Sequence, residues 1–270
     1  MNVDFPVLFK RLDYCKSVIE AIQLRLDGLS KMKIETVFSE DRKTITQSLK
    51  SENDDDWTTV SLEVSTAVHH LRSVLDNLTY QIVTSANPNL TAEEKRKLFF
   101  PAFESEERWN RNRGVKLIQQ SCHKKYFQLF LHLQPFRKNV GWDGYEGNPF
   151  QHLSLISNRD KHRQLSVSFR VPSQLDTNMA LKFFSEEEAH MPKVTFFLEG
   201  VRRGGVFKVI EAEFPVDSVQ GADQIEAVAT MDPLRLPIVK FLSDMVHLVE
   251  TVITNFQRFE ELDDWISPQA

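Results

Sequence analysis

Apolar residues recur at three- and four-residue steps from Phe5 to Met32, through Leu8, Leu12, Cys15, Ile19, Ile22, Leu26 and Leu29. That spacing predicts an amphipathic helix with one buried face. Between Lys33 and Leu49 the period shortens to two (Ile34, Thr36, Phe38, then Thr44, Thr46, Ser48), with Glu40-Asp41-Arg42 as a turn. This predicts a hairpin. After an acidic loop at Ser51–Asp56, a long helix is expected from about Thr58 to Val83, ended by Ala86-Asn87-Pro88-Asn89. Thr91 and Glu94 match a capping box that opens a short helix to Lys97. Phe99-Phe100-Pro101-Ala102-Phe103 reads as a buried, extended connector. Another helix is expected from Val115 to Leu133, stopping at Gln134-Pro135, and a glycine-bearing loop fills Asn139–Pro149. A short helix from Phe150 to about Arg159 follows.

The pattern then changes character. Leu165–Val171, Ala180–Ser185, Val194–Glu199 and Val206–Phe214 are rich in Val, Phe and Ile, with Arg203-Gly204-Gly205 as a tight turn. They predict a four-stranded antiparallel meander. Ser218–Asp232 reads as a polar connection, and Leu236–Leu262 as a closing amphipathic helix with Ile238, Phe241, Met245, Leu248, Val252, Phe256 and Phe259 on its buried stripe. The expectation is one α+β domain over residues 1–270, a helical bundle with an inserted antiparallel β meander and an N-terminal hairpin. Its helical core spans about 1–32, 57–162 and 232–265, and its β subdomain about 163–216.

Composition narrows the classes. With 270 residues and 41% hydrophobic content, the chain can bury a sizeable core. Cys15 and Cys122 have neither a disulfide framework nor metal-ligand spacing, which predicts free thiols. No apolar run approaches the roughly 20 residues of a bilayer span, and Met1–Leu8 lacks the pattern of a signal peptide. A cytoplasmic protein without membrane partners is expected. The net charge of −5 argues against a general coat for nucleic acid, yet Lys95–Arg170 holds fifteen Lys/Arg against six Asp/Glu. Such a basic middle is read either as a footprint for a phosphate backbone or as solvated helix faces.

Two polar sets interrupt otherwise apolar helices. His69, Arg72 and Asp76 share a face of the long helix, at relative positions 0, +3 and +7. Asn158-Arg159-Asp160-Lys161-His162-Arg163 closes the short helix. His162 suits general acid–base work at neutral pH. Arg72, Lys161 and Arg163 are the cations for a phosphorane, and Asp76 and Asp160 the orienting carboxylates. Asn158, Arg159, His69 and His70 are candidate ligand-binding residues. The competing reading is structural: an i, i+4 ion pair between Arg72 and Asp76, and a helix end whose cations face the macrodipole. No HxxxH or HExxH spacing, phosphate loop or nucleophile elbow occurs, so no metal and no cofactor is predicted.

Four landmarks carry a resemblance. They are His70-Leu71-Arg72-Ser73-Val74-Leu75-Asp76-Asn77, Phe100-Pro101, Gln134-Pro135-Phe136 and Asn158–Arg163. In order and spacing they resemble an uncharacterised bacterial family with an LRSxLD helix and an NxDKHR motif. His70 and Asn77 depart from its pattern, where Asn and His stand. More distantly the chain is similar to HEPN ribonucleases of toxin and defence systems, whose motif joins an Arg to a His. Here Asn158 stands where that Arg is expected, and Arg159 is the nearest. The likeness implies an RNA-binding homodimer and metal-independent endoribonuclease activity. The alternative is a non-catalytic interaction or ligand-binding protein whose charged clusters are a salt-bridge network.

Overall fold

The computed structural model describes residues 3–29, 33–50, 54–137, 148–162, 167–170, 180–184, 191–197, 205–220, 228–231 and 236–266. It is an α+β protein. The helices are α1 (Phe5–Leu29), α2 (Asp54–Ala86), α3 (Ala92–Lys95), α4 (Glu106–Arg111), α5 (Arg113–Ser121), α6 (Lys124–His132), α7 (Pro149–His162) and α8 (Ile238–Ile266). The strands are β1 (Lys33–Phe38), β2 (Thr44–Lys50), β3 (Val167–Arg170), β4 (Ala180–Phe183), β5 (Lys193–Phe196), β6 (Val206–Glu211), β7 (Val216–Gln220), β8 (Val228–Met231) and β9 (Leu236–Pro237). The chain divides into two compact units, one of Met1–Ala21, Leu62–Leu165 and Val239–Ala270, the other of Ile22–Ser61 and Ser166–Ile238.

The helical unit follows its periodicity. Leu8, Leu12 and Cys15 of α1, Leu71, Leu75 and Leu78 of α2, and Phe241, Met245, Val249 and Val252 of α8 are buried. Phe100, Phe130, Phe150 and Phe256 are fully buried as well. Their rings meet in series, Phe100 to Phe150 at 5.2 Å, Phe100 to Phe130 at 6.1 Å and Phe130 to Phe256 at 4.8 Å between centroids. Each such side chain contributes about 2–3 kcal/mol of transfer free energy. The buried thiols of Cys15 and Cys122 are free, and burial raises them to about 11 and about 12.

The expected helix from Val115 to Leu133 is two helices. Cys122 turns extended (φ −92°, ψ 153°), and the His123 imidazole accepts the Lys125 amide to start α6 afresh. The apolar spacing persists across the break, so periodicity alone conceals it. Upstream, α4 begins on a Ser105 cap, and Asn112 ends α4 while capping α5 through Val115. The capping box at Thr91 and Glu94 forms as expected. Gly114 sits against α3's exit: a Cβ there would lie 2.5 Å from the Lys97 carbonyl oxygen, so only glycine fits.

The β unit departs from a simple meander. The hairpin β1–β2 forms in the expected register, and Arg42 in its turn takes a left-handed φ of 57°. β2 then pairs with β6, giving the antiparallel order β1-β2-β6-β5. The other strands make β3-β8-β9 and β4-β7. Val216–Gln220 and Val228–Met231 are strands, whereas Ser218–Asp232 reads from the sequence as a polar connection. Val216–Gln220 is recruited because Ile45, Ile210 and Val216 form a core joined by Leu181, Phe183 and Val219, whereas Val228–Met231 pairs with β3 and β9. The Arg42 guanidinium donates to the carbonyls of Val216 and Asp217, holding β7. The expected turn at Arg203–Gly205 and the loop at Asn139–Pro149 lie mostly outside the described residues. No helix among the described residues is long and apolar enough to cross a membrane.

Candidate functional site

The polar face of α2 serves two different surroundings. Arg72 is only 14% exposed in its side chain, and Asp76 34%. Arg72 Nε donates to Asp76 Oδ2 at 3.3 Å, and Nη2 lies 3.1 Å from Oδ1. Nη1 donates to Ser154 Oγ of α7 at 2.8 Å, and Nη2 to the Phe100 carbonyl at 2.7 Å. Asp76 Oδ1 accepts the Phe100 amide at 2.8 Å. Three of the five guanidinium N–H groups thereby donate hydrogen bonds inside the protein, and the Nη2–Oδ1 contact adds to the ion pair.

Gln134 completes the arrangement from the other side. Fully buried, its Nε2 donates to the carbonyls of Pro101 and Phe130, and its Oε1 accepts the Phe103 amide at 3.2 Å. Among the described residues the extended connector has no strand partner, so its backbone groups need side-chain partners to be buried without penalty. Arg72, Asp76 and Gln134 supply them. Residues from three of the four landmarks, together with Ser154 of α7, therefore meet in one hydrogen-bond network. Arg72 and Asp76 form the ion pair of the structural reading.

The second cluster is described in part. α7 runs to His162, with Asn158 exposed and Arg159 half-buried. The side chains of Asp160, Lys161 and His162, and the whole of Arg163, lie outside the described residues. The Arg72–Ser154 bond shows that α2 and α7 are adjacent one turn and more before the cluster begins.

His69 and His70 face elsewhere, into an open groove of about 610 Å³ between α1 and α2. Val7, Lys10, Arg11 and Tyr14 of α1 line its other wall, with Ser73 beside the histidines. Tyr14 meets His70 edge-on at 5.0 Å, and the two imidazoles lie 6.1 Å apart. Partial burial, then the charges of His69 and Arg11, lower the His70 pKa below its ordinary value. His70 and Asn77, the two departures from the landmark helix, both belong here. Asn77 Nδ2 donates to Ser73 Oγ at 3.1 Å, and Arg11 Nη1 to the same oxygen at 3.3 Å.

A larger groove of about 740 Å³ runs along α6 and past the turn Pro135–Arg137. Its lining includes His123, Lys124, Lys125, His132 and Arg137, with Leu129, Leu131 and Phe259 as apolar ground. Lys125 Nζ donates to the Phe259 carbonyl at 2.8 Å and lies 4.9 Å from the Tyr126 ring centroid. Arg137 stacks on Phe136 at 5.6 Å and reaches Glu106 at 3.6 Å. Sequence reading registered the basic excess of this stretch but not the groove. The signal available was Lys124, Gln128 and His132 at four-residue steps.

Among the described residues, no group of three or more His, Cys, Asp or Glu is placed to hold a metal ion. Compared with protein-family models, curated proteins and solved structures, the chain matches none.

Proposed function

We propose that this chain binds single-stranded RNA along the α6 groove. The observation that carries the reading is the lining itself: among the described residues, three Lys/Arg and two His surround one concavity and no carboxylate lines it. In a chain of net charge −5, such a concentration of one sign selects a polyanion locally. Phe259 and the leucines offer apolar ground against which bases can pack, beside cations that track a phosphate backbone. Cleavage by His162 is the catalytic extension of this reading, supported by the adjacency of α2 and α7.

Anisotropy of a labelled mixed-sequence RNA, measured across a salt series, tests the binding. Affinity should fall linearly in log–log form, and Lys124→Ala and Arg137→Ala should each reduce the slope by about 0.7. Slopes equal to that of wild type would overturn the groove assignment. Incubating the same RNA in EDTA with wild type and His162→Ala separates binding from cleavage. Intact RNA with wild type would leave a binding protein alone.

A further inference from the structure

The groove between α1 and α2 is separate from the α6 groove and has a different chemistry. Among the described residues, its fixed charges are Lys10 and Arg11 and no carboxylate lines it. Among the described residues neither cation has an ion pair; Arg11 is held only by the Ser73 hydroxyl. Ser73 Oγ accepts from both Arg11 and Asn77, which fills its two lone pairs and leaves its O–H to donate. An arrangement of cations, imidazoles and two hydroxyls, with no carboxylate among its described lining residues, is complementary to an acceptor-rich anion. Two fixed positive charges match a dianion better than a carboxylate. The volume lies within the range of small-molecule sites.

We propose that this groove binds the phosphate monoester of a small ligand, with Arg11 and Lys10 on the phosphate oxygens, Ser73 donating a further hydrogen bond, and the Tyr14–His70 wall against the organic part. The groups facing His70 are Tyr14, Arg11 and Lys10 from α1 and His69 from its own helix. None of them is a carboxylate. An arriving dianion therefore favours a proton on His70, which the empty groove disfavours. Binding takes up a proton and strengthens as pH falls toward the imidazole range.

Inorganic sulfate is the first probe, because it is tetrahedral, doubly charged and does not titrate near neutrality. Histidine ring resonances of the full chain are followed by NMR during sulfate addition, with chloride at matched ionic strength as control. His69→Gln and His70→Gln assign the signals. The expected result is saturable movement of both rings, an upward shift of the His70 titration, and tighter binding at lower pH. Lys10→Gln and Arg11→Gln should each weaken sulfate by about tenfold, the effect of one charge-assisted hydrogen bond. Glycerol phosphate should compete with sulfate, whereas an RNA oligomer without terminal phosphates should not. Equal shifts in chloride, unchanged affinity in both variants, or displacement by that RNA would each overturn the proposal. Binding of RNA at α6 is measured with Lys124→Ala and Arg137→Ala, so the two readings fail independently.

Discussion

Helix α2 carries two polar sets within one turn of each other, and they have opposite fates. Arg72 and Asp76 are held by Phe100, Ser154 and each other, so most of the hydrogen bonds they make lie within the fold. His69 and His70 meet cations, a tyrosine and open space. Residue type does not separate them; both sets are charged or titratable and both border apolar positions. What separates them is whether internal partners saturate the donors and acceptors. Polar groups saturated from within report on folding, and those left with spare capacity report on a ligand.

Asp76→Ala should test the contrast most severely. It leaves the Phe100 amide and the Arg72 Nε–H without an acceptor and strips a largely buried guanidinium of its counter-charge, so a loss of about 3 kcal/mol is expected in urea unfolding. A loss below about 1 kcal/mol would remove the structural role assigned to the pair. Next comes Gln134→Ala, which orphans connector groups at a fully buried position and should cost about 2 kcal/mol by the same measurement. Arg72→Lys should cost about 1–2 kcal/mol, because one ammonium cannot reach Asp76, Ser154 and the Phe100 carbonyl together.

The histidines supply the small end of the scale. His69→Gln should change stability by less than about 0.5 kcal/mol, as expected for an exposed position. For His70 the pH dependence has a definite sign. Its lowered pKa means the unfolded chain binds the proton more readily, so its contribution is intact above about 6.5 and is lost as pH drops below that value. Melting temperature between pH 7 and pH 5 should fall slightly less in His70→Gln than in wild type. An identical decline in both would mean that the imidazole is not perturbed by its surroundings.

Much of the helical architecture is legible in the sequence because it depends on local spacing. α1, α2 and α8 appear within a few residues of their ends, as does the hairpin β1–β2. The break at Cys122–His123 is hidden because apolar spacing continues through it, and a histidine cap is a weak signal. β7 and β8 are hidden for another reason. Strands such as Val216–Gln220 and Val228–Met231 gain their hydrogen bonds from distant partners, and their composition is unremarkable. The site followed the same rule. Arg72 and Asp76 stand out within one helix, but their meeting with Phe100 and Gln134 depends on tertiary placement. Lys10, Arg11 and Tyr14 become candidates only once α1 lies beside α2.

The connector Phe99–Phe103 has one more consequence. An extended segment without strand neighbours ordinarily exchanges its amide hydrogens quickly. The Phe100 amide, however, is bonded to the Asp76 carboxylate and the Phe103 amide to Gln134. Releasing either proton to solvent requires the connector to separate from α2 or from the end of α6. The exchange rates of these two amides thus act as reporters for two different openings of the helical unit, one beside each landmark.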